Sequence, residues 1–143
     1  MKFVFVDEVL ELVPEKRVLA ITKIAQDEPY FADHFPGFPV VPGVLLTEMM
    51  GQAAAKCLDV DLKTRGKTVL ARIVSANFRG WVGPGETVSL AANIRSLQKR
   101  FATADCQAEV DGKRVATAEL LFTFVSLEEF PQGFRDEISA KFS

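Results

Sequence analysis

The longest apolar pattern in the chain runs over residues 43–58, and its period is helical. Val, Leu, Met and Ala occupy nearly every side, and the polar positions are few: Thr47, Glu48, Gln52 and Lys56. Glu48, Gln52 and Lys56 are spaced by four, so they share one stripe. A helix this apolar is expected to be buried over most of its girth. Ala53, Ala54 and Ala55 are small enough to let a sheet come close.

Most of the remaining chain reads as strands. Residues 3–12 are rich in Phe, Val and Leu and read as a strand or strand-like arm. Pro14-Glu15 turns the chain, and the β-branched run 17–24 reads as a second strand. An acidic start followed by Pro29 marks a short helical turn over 27–31. A Pro/Gly loop over 33–42 leads into the long helix. Residues 59–67 are polar and read as a surface loop. Strands follow over 68–78, 86–95, 101–110 and 115–125. Gly83-Pro84-Gly85 separates the first pair, and Asp111-Gly112 is a strong two-residue hairpin signal between the last pair. On one face, 86–95 carries Val88, Leu90, Ala92 and Ile94. Residues 101–110 likewise present Ala102, Ala104, Cys106, Ala108 and Val110, and 115–125 present Ala116, Ala118, Leu120, Phe122 and Phe124. The small residues leave room for something bulky, and the apolar helix is the natural occupant. The class expected is α+β, one curved antiparallel sheet wrapped around one central helix. In the tail, 126–143, Phe130, Phe134, Ile138 and Phe142 recur every four residues and suggest a short amphipathic helix.

The 143 residues fit one domain, 1–143, able to bury a core without staples. A formal net charge of -2 gives no broad electrostatic case for nucleic acid. Cys57 and Cys106 lie far apart, with no second pair, so neither a disulfide framework nor a zinc pattern is expected. With a single histidine, His-rich metal sites are excluded; no metal and no cofactor are expected. The apolar run at the start is too short for a secretory signal. No stretch reaches the roughly 18 apolar residues of a membrane span. A reduced, cytoplasmic compartment is the expectation.

Chemistry concentrates at residues 34–52. The single histidine, His34, sits in the stiff loop, and Glu48 sits among Leu45, Leu46, Met49 and Met50. A titratable ring, a pre-set loop, a helix N-terminus and a carboxyl in apolar surroundings are the parts of a proton-transfer site. Each also has a plainer reading. His34 is either a base or a satisfied loop histidine. Glu48 is either an acid or a structural carboxyl on the stripe that ends in Lys56. Gly43 is either a close-approach point for a ligand or a flexible joint after Pro42. Gln52 either orients Glu48 or fixes helix packing. Lys63, Arg65, Lys67, Arg79, Lys99 and Arg100 are either solvated surface or a face for an acidic partner.

The run His34-Phe35-Pro36-Gly37-x-Pro39-x-x-Pro42-Gly43-Val44-Leu45-x-x-Glu48-x-x-x-Gln52 closely resembles the motif of the 3-hydroxyacyl-acyl-carrier-protein dehydratases of the FabZ type, in the FabA/FabZ-like hotdog family. The resemblance extends to Phe5-Val6-Asp7-Glu8-Val9-Leu10, to Asn77-Phe78-Arg79 with Pro84-Gly85-Glu86, and to the hairpin at Val110-Asp111-Gly112-Lys113. The family usually has Ala-x-Ala where Met49-Met50-Gly51 stand, and a basic residue followed by Pro where Gly80-Trp81 stand. The tail 126–143 matches nothing in the pattern.

The resemblance implies a hotdog fold and a homodimer with active sites at the subunit interface, commonly as a trimer of dimers. It implies a 3-hydroxyacyl thioester carried on acyl carrier protein and dehydrated to the trans-2-enoyl thioester in fatty acid biosynthesis. His34 would be the base, and Glu48 of the other subunit the acid. The Gly43 N–H would face the thioester oxygen. Phe35, Gly37, Val41, Pro42, Val44, Gln52 and Phe78 would contact the substrate, with Met49 beside them in an acyl tunnel. Glu rather than Asp at position 48 leans towards dehydration without isomerisation. Other readings stand beside this one: a hotdog thioesterase, a hydratase acting on coenzyme A thioesters, and a non-catalytic acyl-binding subunit.

Overall fold

A computed structural model describes residues 4–33 and 37–131. The elements, in chain order, are β1 (Glu8–Val13), β2 (Arg17–Lys23), α1 (Tyr30–Asp33), α2 (Gly43–Leu58), β3 (Lys67–Phe78), β4 (Thr87–Leu97), β5 (Phe101–Val110) and β6 (Lys113–Val125), and then a 3-10 turn at Leu127–Glu129. The six strands form one sheet in the order β1-β2-β4-β5-β6-β3, and every neighbouring pair is antiparallel. The architecture is the expected α+β wrap, a sheet folded around α2.

The wrap follows from side-chain size. The inner faces of β5 and β6 are built largely from alanine: Ala102, Ala104, Ala108, Ala116 and Ala118 are all buried. Against them lie the bulky buried residues of α2: Leu45, Leu46, Met49, Met50, Cys57 and Leu58. Large residues on the helix and small ones on the sheet interdigitate at interior density. Register shifts in β1, β3, β4 and at Ala108/Glu109 insert bulges, which bend a sheet and raise its twist. They supply the curvature that lets one sheet reach round one helix.

The Asp111-Gly112 hairpin has the left-handed backbone that its sequence requires, with φ of 51° and 78°. Val110 and Lys113 close it as a register pair, so the loop has two residues. The thiols of Cys57 and Cys106 are free and buried. Burial, and then Asp105, push the Cys106 thiol up to about 12. Among the described residues no helix is long and apolar enough to cross a membrane, and no group of three or more His, Cys, Asp and Glu is placed to hold a metal.

Three expectations change. First, the stretch 3–12, expected as a strand or a strand-like arm, divides, and its strand begins at Glu8. Before it, residues 5–7 run as a tethered arm. The Phe5 N–H is taken by a side chain of α2, the Thr22 hydroxyl donates to the Phe5 carbonyl, and the Asp7 carboxylate accepts from the Lys23 N–H at 2.6 Å. Second, the polar stretch 59–67 is not wholly solvated. Lys67 pairs with Asp59, whose side chain is only 3% exposed. Third, Arg65 bonds Glu15 at 2.6 Å and stands over the Phe124 ring. Arg65 and Lys67 are therefore engaged within the fold and do not form a free cationic face. Of the tail, only residues up to 131 are described, so the amphipathic helix suggested by Phe134, Ile138 and Phe142 lies outside the described residues.

Leu120 of β6 is fully buried and faces Gly51 of α2, where an added Cβ would lie 3.8 Å from its Cδ1. Leu120→Ala is expected to cost about 2–5 kcal/mol, because the cavity would open where sheet meets helix. Equilibrium urea unfolding measures it, as a lower midpoint at unchanged slope.

Candidate active site

The helix α2 begins where the loop stiffens. Val41 donates its N–H to the Val82 carbonyl at 2.7 Å, which pins the loop to a fully buried residue. Pro42 follows as the N-cap with φ -57° and offers no side-chain cap. Its carbonyl accepts from Leu45 N and Leu46 N at 3.0 and 3.2 Å. Among the described residues the N-terminus is thus held by backbone alone, and no carboxylate stands in its first turn. An uncapped helix start carries a positive dipole end and favours an oxygen with developing negative charge.

Gly43 lies directly under the Phe78 ring of β3: an added Cβ would meet three ring carbons at 3.1 to 3.3 Å. The glycine lets the end of β3 cover the helix start. Around this point the surface is apolar and open. Val44 is 76% exposed and Trp81 68%, with Phe78 and Phe38 also exposed. The Trp81 and Phe38 rings pack edge to face at 5.3 Å.

Glu48 lies one turn further in and is half-buried. Gln52, on the next turn of the same stripe, donates from Nε2 to Glu48 Oε1 at 3.1 Å. Its own Oε1 accepts from the Phe5 N–H at 2.8 Å. The amide is spent at both ends, so its orientation is fixed: oxygen towards the arm, nitrogen towards the carboxyl. A backbone N–H of the arm thereby positions the one carboxylate on the helix stripe. The same amide contacts Glu48 and ties down the arm.

A pocket of about 150 Å³ opens beside this pair, lined by Glu48, Gly51, Gln52, Ala55, Lys67, Thr68, Leu70 and Phe122. A second, of about 180 Å³, lies between the arm, β2 and α1, with Tyr30, Thr22, Asp7 and Met49 in its wall. Burial, and then Glu28, push the Tyr30 phenol up to about 12, so it stays a neutral hydroxyl there.

The structure brings together two of the expected groups, Glu48 with Gln52 and Gly43 with Phe78. Pro42 and Val44 flank the helix start as expected. Gly37 is exposed with φ 84°, and no described residue comes within 4 Å of where a side chain would start. Val41 belongs to the buried core and presents its backbone to Val82. His34 and Phe35 lie outside the described residues. Sequence reasoning missed the arm at Phe5, which reaches Gln52 across 47 positions, and Thr68 in the pocket wall. The fixed four-residue spacing of Glu48 and Gln52 was the available signal for the pair. Nothing local marks Phe5 or Thr68.

A family model described as a FabA-like domain matches residues 1–119. The chain belongs to the FabA-like family. It is 39% identical over 121 residues to the 3-hydroxyacyl-acyl-carrier-protein dehydratase FabZ of Ruminiclostridium cellulolyticum, covering 84% of this chain and 85% of the relative. To the FabZ of Bordetella petrii it is 42% identical over 130 residues, covering 86% of each. Among solved structures, the dehydratase heterocomplex ApeI:P from Xenorhabdus doucetiae superposes with a TM-score of 0.71 at 15% identity, over 87% of this chain and 84% of that one. That likeness shows the hotdog fold, and the sequence relatives carry the rest.

Replacing Gln52 by Leu keeps the bulk and removes both bonds. The Phe5 N–H and the Glu48 carboxyl then each lose one hydrogen bond, at about 1–3 kcal/mol for a part-buried polar group. Native-state hydrogen exchange is expected to quicken at least about fivefold at the Phe5 amide, while the β4–β5 amides keep their protection. An unchanged Phe5 rate would show that Gln52 does not hold the arm.

Proposed function

We propose that this chain dehydrates a 3-hydroxyacyl thioester on acyl carrier protein to the trans-2-enoyl thioester. What carries the reading is its identity of about 40% to curated dehydratases over more than four-fifths of the chain. The reaction removes a proton from the α-carbon and breaks the bond between the β-carbon and its hydroxyl. It needs a base, an acid and support for charge on the thioester oxygen.

In this reading His34 takes the α-proton, since imidazole is neutral and basic near neutral pH. The electron pair left on the α-carbon forms the new double bond, and the β-hydroxyl leaves as water with a proton from Glu48. The thioester oxygen rests on the Gly43 N–H at the uncapped start of α2, where helix and backbone stabilise it before charge develops. The bond from Gln52 supports the role of Glu48, because a group that must meet a substrate hydroxyl gains from a fixed carboxyl orientation. Phe35, Gly37, Val41, Pro42, Val44 and Phe78 would form the surroundings of the thioester, with Val41 acting through the loop backbone.

The same reading makes the working unit a homodimer, with His34 of one copy facing Glu48 of the other. Two observations support this. β3 ends the strand order, so one side of it is unpaired, and it exposes Ile73, Val74 and Phe78. The apolar ring of Val44, Phe38 and Trp81 at the helix entrance is also exposed, as expected of a face that another copy covers. A trimer of dimers is the assembly we infer for the complete enzyme. Lys63, Arg79, Lys99 and Arg100 are exposed and remain available to an acidic carrier protein.

His34→Ala and Glu48→Gln are each expected to lower turnover at least about a hundredfold, the range for loss of a positioned acid or base. The assay follows enoyl absorbance from 3-hydroxybutyryl thioester. Absence of turnover by the unaltered protein on every chain length sinks the proposal, and release of free thiol points to a thioesterase. Mixing the two inactive variants under conditions of subunit exchange is expected to restore activity, up to about a quarter of sites if both defects fall in one pocket of a mixed dimer.

A further inference from the structure

The sheet has a second face, turned away from α2. On β6, Ala116, Ala118, Leu120 and Phe122 are buried, so Thr117, Glu119, Leu121 and Thr123 between them point outward. Register carries this outer face to the neighbouring strands. Thr123 pairs with Phe101 and with Val69, Leu121 with Thr103 and Arg72, and Glu119 with Asp105 and Ser75. Most of the face is polar. Arg95 bridges Asp105 and Glu119 there, and Asn93 pairs with Asp105 in the same row. At one end the character changes. Phe101 is 47% exposed, and Val69 and Leu121 beside it are half-buried. An aromatic ring and two aliphatic neighbours form an apolar island at the end of a polar face.

The chain leaves the sheet at this same end. Val125, two positions beyond Thr123, is the last residue of β6. Ser126 then caps the 3-10 turn, its hydroxyl accepting from the Glu128 N–H at 3.3 Å. The description reaches Pro131, and residues 132–143 follow. That segment carries Phe134, Ile138 and Phe142 at four-residue spacing, with Arg135, Asp136, Glu137 and Lys141 between them. Wound as a helix, it would set the three apolar side chains on one stripe about 12 Å long at 1.5 Å per residue. The island spans β5, β6 and β3, about 10 Å at roughly 4.8 Å per strand. At its edge stands the exposed Arg72, opposite in sign to Asp136 and Glu137. Residues 126–131 join segment to sheet and reach about 20 Å at most, so the segment cannot travel far from the island.

We propose that residues 132–143 fold back as a short helix onto the outer face of their own chain, seating Phe134, Ile138 and Phe142 over Phe101, Val69 and Leu121. The driving force is removal of these apolar side chains from water. The connection decides which copy is used. A short tether holds the segment beside its own sheet at an effective concentration in the millimolar range, which another copy in solution does not match. The docked segment lies on the face of the sheet and not on the edge of β3, so that edge stays open. It also lies on the side of the sheet away from Glu48 and Gly43, so the inference stands apart from the reaction.

The test is amide hydrogen exchange of the full chain, read by mass spectrometry over 132–143. A helix this short is marginal in water by itself, so protection there reports docking. In the unaltered protein these amides are expected to exchange at least about tenfold more slowly than in a free peptide of the same sequence. Phe101→Asp puts a charge in the island at an exposed position. It is expected to abolish that protection while the β4–β5 amides keep theirs, and Phe101→Ser carries the same expectation if the aspartate variant does not fold. Free-peptide rates in the unaltered tail overturn the inference, and so does protection that the Phe101 variants do not move. To separate the copies, isotopically labelled Phe101→Asp chain is refolded with an excess of unaltered chain. A labelled tail that stays unprotected supports docking on its own chain. Recovered protection shows that the tail crosses to another copy and overturns the assignment.

Discussion

Everything in this molecule depends on keeping α2 out of water. Ten of its sixteen residues are buried, and a helix so apolar cannot stand on a protein surface. One layer of sheet must therefore cover it on several sides. A flat sheet cannot do that. The bulges that bend the strands and the alanines that line β5 and β6 are the two devices that make the wrap possible. Functional groups are placed by the same constraint. Along such a helix, charged side chains survive only where the wrap is incomplete, and the gap lies over the stripe that carries Glu48, Gln52 and Lys56. The location of the carboxyl is thus a consequence of how far one sheet can reach.

Much of this was legible in the chain. The bounds of α2 agree with its pattern because it is flanked by unmistakable signals, a Pro/Gly loop before Gly43 and a polar stretch after Leu58. The Asp111-Gly112 turn could be read directly, since two successive left-handed residues suit few other dipeptides. The alternation in β5 and β6 gave the inner face residue by residue. What escaped was long-range polar pairing. Asp59 and Lys67 look like members of a solvated loop, because composition reports polarity and not partners. Thr68 is an ordinary strand residue by type, and only the position of the helix end makes its hydroxyl a buried, unpaired group among the described residues. Likewise Phe5 reads as part of a strand, whereas its N–H goes to Gln52. The arm stays beside β2, bonded to Thr22 and Lys23, but its Phe5 N–H is given to a side chain of α2 and not to a strand.

The Gln52 amide shows how stability and chemistry share one group. An amide with both ends bonded cannot rotate without breaking two contacts. The arm gains an anchor, and the carboxyl gains a fixed face. A carboxyl on a helix stripe without such a partner would sample several rotamers, and each costs time in the wrong orientation. The tether also ties the arm to the site, so disturbance of the arm is transmitted to Glu48 through two hydrogen bonds.

β3 links the pocket to assembly. Its first residues wall the slot beside Glu48, and its last residue covers Gly43, while its outer edge carries unpaired backbone and exposed Ile73 and Val74. A strand with a bare edge is open to pairing with another chain. In the proposed dimer a second copy would occupy that edge. It would then cover the open side of the groove and bring its own loop to the helix entrance in a single docking event. Pocket closure and completion of the catalytic pair would be one step. A lone chain would hold half of each site: the oriented carboxyl and the uncapped helix start, with a slot still open to water. Since water at the slot weakens every electrostatic contact within it, association would supply the dry surroundings as well as the missing base.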